Sequence, residues 1–170
     1  MKNIIIFVLC AVMILFTNGC GSRIIEKDND VSSADSAQIP NPFVECETLE
    51  KAEQLAGFEI SLPEKMPDGF TQSSILAIKN DMIEIIFNNK DDEIRIRKAE
   101  GKKDISGDYN EYKYKNTIKV DNLTVTTKGN DDKINVATWN DGNYSYSISA
   151  NVDEKGIDSG NIIEMIKNIK

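Results

Sequence analysis

A chain of 170 residues without a single histidine has to do any chemistry with other groups. The commonest general base and the commonest neutral metal ligand are both missing, so Ser-His-Asp and Cys-His catalysis are excluded. Carboxylates are plentiful, but Asp91-Asp92-Glu93 and Asp131-Asp132 fall in expected turns, where charge runs stand in water. Asp28-Asn29-Asp30 begins like a calcium loop, yet Ser33 and Ile39 stand where such a loop needs glycine and glutamate. Gly101, Gly107 and Gly129 make neither a dinucleotide fingerprint nor a P-loop. Cys46, between Glu45 and Glu47, is read as an inert thiol. These residues therefore define no catalytic site, no metal site and no cofactor, and the expectation is that the chain is not an enzyme. Trp139, the only tryptophan, with Tyr144 and Tyr146, is the expected contact surface for a ligand or partner. Packing in the hairpin or core is the competing use of these rings.

The balance of 20 Lys and Arg against 28 Asp and Glu gives a formal charge of −8, a sign that repels phosphate backbones and argues against nucleic acid as a partner. The amino end has its own pattern: Lys2, then an unbroken apolar run from Ile4 to Phe16, then Thr17-Asn18-Gly19-Cys20. A helix over that run is ~20 Å long, short of the ~30 Å hydrocarbon core of a bilayer. A secretory signal is the better reading than a permanent span. The small Gly19 before Cys20 resembles the lipobox of bacterial lipoproteins, in which the thiol is alkylated by a diacylglyceryl group and the chain is cut on its amino side; Thr17 stands where that pattern usually has leucine. The resemblance implies residues 1–19 as a lipoprotein signal peptide, Cys20 as the lipid anchor, and a location on the extracytoplasmic face of the cell membrane. At ~0.8 kcal/mol per buried CH₂, two acyl chains hold where one would let go. Residues 20–42 then form the lipidated cysteine and a polar tether, since Lys27 to Ser36 offers almost nothing to bury.

One α+β domain is expected over residues 43–170. It should be a curved antiparallel sheet of about six to eight strands, with a short N-terminal helix and an amphipathic C-terminal helix packed on it. Thr48 is a good N-cap and Gly57 a good helix stop around Leu49, Ala52, Leu55 and Ala56. Alternation of period two predicts strands at Phe58–Leu62, 70–79, 82–88, 93–99, 117–120, 123–127, 133–139 and 144–150. Ile94 and Ile96 alternate with Arg95 and Arg97, which predicts one buried and one wet face. Residues 100–116 read as an exposed loop or irregular edge. Asp141-Gly142 is a hairpin signal. The stripe Ile162, Met165, Ile166 and Ile169 predicts the closing helix, capped by Asp158 or Ser159.

Leu49-Glu50-Lys51-Ala52, Leu55-Ala56-Gly57-Phe58, Leu62-Pro63, Met66-Pro67-Asp68-Gly69-Phe70, Gly142-Asn143-Tyr144-Ser145-Tyr146-Ser147-Ile148 and the Ile-rich end together resemble the bacterial extracytoplasmic domain of unknown function numbered four-three-six-seven. The resemblance spans roughly residues 43–170 and implies a secreted or membrane-tethered module without an assigned reaction. More distantly, the expected architecture looks like lipoprotein-carrier and envelope-stress-sensor folds, a likeness of fold alone. A noncatalytic binding or sensing module is thus expected, attached to the membrane through its lipid and meeting another envelope protein, a peptide or an apolar ligand. A carboxylate- or metal-dependent hydrolase and a purely structural envelope protein are the alternatives.

Overall fold

Strand alternation in this chain separates apolar from polar side chains, and the separation decides how the sheet is used. The computed structural model describes residues 40–152 and 156–170; the expected leader 1–19, Cys20 and the expected tether as far as residue 39 lie outside them. Pro40–Lys170 is one compact unit. In chain order it contains β1 (Val44–Glu45), α1 (Leu49–Ala56), β2 (Thr71–Ile78), β3 (Met82–Asn89), β4 (Asp92–Glu100), β5 (Tyr114–Val120), β6 (Leu123–Gly129), β7 (Val136–Asn140), β8 (Tyr144–Asn151) and α2 (Ser159–Asn168).

The strands form an open eight-stranded sheet in the order β1-β2-β3-β4-β8-β7-β6-β5, antiparallel throughout. Two meanders, β2-β3-β4 and β5-β6-β7-β8, therefore meet at the central pair β4–β8. In that pair Ile96 faces Ile148, and Ile94 faces Ala150. Since β4 is central and β5 is the far edge, the connection over 101–113 has to pass from the middle of the sheet to its rim.

The apolar face is closed by both helices. Ala52 and Ala56 of α1, and Ile162, Met165 and Ile166 of α2, share one buried cluster with Ile83, Ile85, Ile96 and Ile148. Helix α1 starts as its residues dictate: the Thr48 side chain accepts from Lys51 N, and Gly57 ends it at φ 87, a conformation that costs glycine little. Asp158 caps α2 by accepting from Asn161 N.

Three expectations are corrected. Phe58–Leu62 is not a strand. It is an unpaired extended segment with Phe58 and Ile60 buried, and its polar groups are met from outside the ladder: Ile60 N by Glu53 Oε1 at 2.9 Å, Ser61 N by Lys170 O at 3.0 Å, and Glu59 O by Lys98 Nζ at 2.6 Å. Period two reports one buried face, which an extended segment lying on a sheet has as well as one within it. The β7–β8 turn sits one residue later than expected, with Gly142-Asn143 between the Asp141 N–H and the Tyr144 carbonyl at 3.2 Å. The Asp141 side chain moves it there by accepting from the N–H groups of Asn143 and Tyr144. Finally, β5, an edge strand, begins at Tyr114, inside the stretch read as an exposed loop or irregular edge.

Ile166 is almost fully buried between helix and sheet. Ile166→Ala should lower the unfolding free energy by about 2–5 kcal/mol in urea titration followed by circular dichroism, and an unchanged midpoint would contradict the docked position of α2.

Candidate functional site

Trp139, Tyr144 and Tyr146, the residues singled out in the sequence, come together at the β7–β8 hairpin. Trp139 and Tyr146 are cross-strand partners, with rings stacked at a centroid separation of 5.3 Å and an interplanar angle of 4°. They are 5% and 2% exposed, so most of their area is spent on packing. Tyr144 is half-buried and tilts against Phe58 at 5.1 Å. These rings surround Lys98, whose ammonium stands 4.5 Å from the Tyr144 ring centroid, 5.4 Å from Tyr146 and 5.6 Å from Phe58. Burial lowers the Lys98 pKa, and the negative charges of Asp141, Glu53 and Glu59 offset part of that fall. Tyr146 OH donates to Asp141 at 2.7 Å; burial first, and then this bond, push the phenol's pKa far up. The edges of Trp139 and Tyr146 do reach a cleft of about 240 Å³ that Ile166 and Ile169 also line.

The opposite face of the sheet is polar. Successive register pairs place Glu84, Arg97, Ser147, Thr138, Thr126 and Thr117 in one row across six strands. The connection 101–113 lies on this row. A segment outside any ladder still has to satisfy its carbonyls, and here the sheet supplies the donors. Arg97 Nη1 donates to Ile105 O at 2.9 Å and to Ser106 O at 2.8 Å. Ser145 Oγ donates to Gly101 O at 2.9 Å. The other side of the Arg97 guanidinium is held by Glu84, 5% exposed, at 2.5 Å from Nε. Gly107, at φ 64, fits because a Cβ there would lie 2.5 Å from Arg97 Nη1. Two aspartates shape the segment. Asp104 accepts from Ser106 N and Oγ; burial alone would raise its pKa, but these bonds and Lys128 bring it below the ordinary value. Asp108 accepts from Asn110 N and from Tyr112 OH.

Where the segment turns away from the ends of β4 and β8 it leaves a cleft of about 530 Å³, walled by Glu93, Arg95, Asp108, Glu111, Asn135 and Asn151 among others. Within it Arg95 Nη2 donates to Glu93 at 2.7 Å, and Arg95 Nε stands 3.6 Å from Glu84. This face was the wet side of β4 in the sequence. The structure corrects that at Arg97, which is largely buried under the connection. Ser145, Ser147 and Ser149 opposite a paired Arg95 and Arg97 were the available signal: three small hydroxyls in a row leave room for a chain to lie on them.

The remaining groups do not converge. Asp131 and Asp132 are exposed in the turn after β6 at φ 47 and 62. Cys46 is a free, partly buried thiol directed at Val44 O. Among the described residues no three cysteine or carboxylate side chains come together as metal ligands, and no helix is long and apolar enough to cross a membrane. A family model described as a domain of unknown function (DUF4367) matches residues 61–169. Neither a curated protein nor a solved structure matches the chain.

Acid should act through the hairpin. Burial opposes the Asp141 carboxylate, but hydrogen bonds from Tyr144, Tyr146 and Asn143, with the Lys98 charge, outweigh it and hold its pKa below the usual value. A depressed folded-state pKa contributes stability above the unfolded value of about 3.9, and that contribution is lost as the pH falls through the folded value. Asp141→Asn should therefore melt lower at neutral pH and lose less of its melting temperature on acidification than the unmodified protein. Parallel melting profiles for the two would refute this account of the hairpin.

Proposed function

The chain belongs to the DUF4367 family, and we propose that it is a noncatalytic binding or sensing module, tethered outside the cell membrane by a lipid on Cys20, that offers the polar face of its sheet to another envelope protein, a peptide or a small polar ligand. The observation behind this reading is how the two faces are used. The apolar face is spent on the two helices and the Phe58–Leu62 segment, which leaves, among the described residues, a small cleft beside Trp139 for an apolar group. The polar face keeps a 530 Å³ cleft, within the range of about 300–1,000 Å³ of small-ligand sites.

The tether is the second support. A charged n-region, a short apolar run and a cysteine after Gly19 fit lipid attachment, and the polar composition from Gly21 to Pro42 suits a spacer between lipid and domain. A lipid on Cys20 would keep the cleft within reach of the membrane, which suits contact with neighbouring envelope components.

The test is made in cells. Palmitate should label the protein, and Cys20→Ser should abolish the label and move the protein out of the membrane fraction. A photoreactive amino acid at Asn110, at the cleft, should give a discrete adduct that the same group at Glu164, on α2, does not. Equal labelling of the Cys20→Ser variant would remove the anchor from the proposal, and identical adduct patterns at both positions would remove the cleft.

A further inference from the structure

We propose that the 530 Å³ cleft beside β4 and β8 receives an organic cation, a primary ammonium or guanidinium group that donates several hydrogen bonds; the inference rests on reading the polar face as the binding surface. Several donors in the cleft walls are already engaged, and the one buried donor there without a hydrogen bond among the described residues, Arg95 Nε, stands 3.6 Å from the Glu84 carboxylate. Arg95 Nη2 is paired with Glu93 at 2.7 Å. Tyr112 OH donates to Asp108 at 2.8 Å, and the Asn110 side-chain amide donates to the same carboxylate at 3.2 Å. Acceptors are left over. Asn135, only 8% exposed, lines the cleft, and its Oδ1 has no hydrogen-bond partner among the described residues. A buried amide oxygen without a donor costs about 1–3 kcal/mol, so a group that brings a donor relieves Asn135, whereas Arg95 Nε already has the Glu84 charge beside it. Glu111, on the same rim, makes no hydrogen bond or ion pair among the described residues.

Charge points the same way. Glu93, Asp108 and Glu111 face a single guanidinium, that of Arg95, which already stands between Glu93 and Glu84. The cleft is therefore negative on balance, and an entering anion would meet like charge. A divalent metal fits less well than an organic cation. It needs six or more oxygens at about 2.0–2.6 Å, whereas no three carboxylates converge among the described residues. An ammonium on a flexible stem, or a planar guanidinium with five donors, bridges acceptors that stand further apart. Such a group could arrive on a free polyamine or on a lysine or arginine side chain of a partner.

The full-length chain in detergent micelles, labelled with ¹⁵N and held at about 150 mM salt to screen its general acidity, separates these cases. It would be titrated with spermidine, with a short lysine-rich peptide, with a glutamate-rich peptide and with calcium chloride. The expected result is saturable movement of the Asn110, Asn130 and Asn151 amide signals with spermidine or with the lysine peptide. The tighter of the two names the source of the cation. Glu93→Gln combined with Glu111→Gln should weaken that binding about fivefold or more, while Glu164→Gln on α2 leaves it unchanged. Silence of these amides toward both cations overturns the proposal. So does equal affinity in the double variant, or movement of the same amides by calcium or the glutamate peptide. An adduct at Asn110 in cells combined with no cation binding would remove the cation and leave the binding surface standing.

Discussion

Arg97 holds the polar side of this molecule together. Its guanidinium spends one edge on the buried Glu84 carboxylate and another on the carbonyls of Ile105 and Ser106. The first contact ties β3 to β4; the second fastens the long connection to the sheet. A guanidinium is suited to this because its planar fork serves several acceptors at once without being deprotonated. Taking one partner away from so buried a pair leaves a charge without compensation, a loss of about 3–5 kcal/mol in comparable settings. The cleft depends on this fastening, because its outer wall is the stretch that follows Ser106.

The topology is what makes such a fastening necessary. A sheet whose fourth strand is central and whose fifth is the far edge requires a connection across one face. With the apolar face occupied by α1 and α2, only the polar face is open to it. The serines of β8 then become useful twice: their small size lets the backbone approach, and Ser145 gives a hydroxyl to Gly101 O. One group in the row stays unanswered. Ser147 Oγ is buried without a partner among the described residues.

On the other face the same logic runs with rings. Lys98 occupies an inward position between Ile83 and Tyr146, where an aliphatic side chain would be the ordinary choice. Three aromatic faces and the Glu59 carbonyl take the place of water around its ammonium. The bond to Glu59 also positions the Phe58–Leu62 segment, so a charge inside the core orders a stretch that no strand pairs with. Trp139, Tyr144 and Tyr146 are thereby largely committed to structure, and only the edge of the Trp139–Tyr146 stack meets a cleft.

Local signals were enough for everything that depends on near neighbours. Thr48 and Gly57 bound the first helix, Asp158 and the Ile162-Met165-Ile166-Ile169 stripe define the last, and alternation locates the strands of both meanders, because capping and burial of one face act over a few residues. The family likeness is shown over residues 61–169, the strands of both meanders and the closing helix, and not over the first helix. What the chain alone did not reveal was which strands become neighbours across long separations. Alternation states that Arg97 and Glu84 face away from the isoleucines; it does not state that a connection will lie on top of them, or that Asn135, Glu93 and Glu111 will border one cleft. Those facts come from the β4–β8 pairing, which joins residues about fifty positions apart, and long-range pairing leaves no periodic mark in a sequence. Phe58–Leu62 shows the limit from the other side: its pattern was read as a strand, and only the packed molecule showed an unpaired segment whose hydrogen bonds go to Lys98, Glu53 and Lys170.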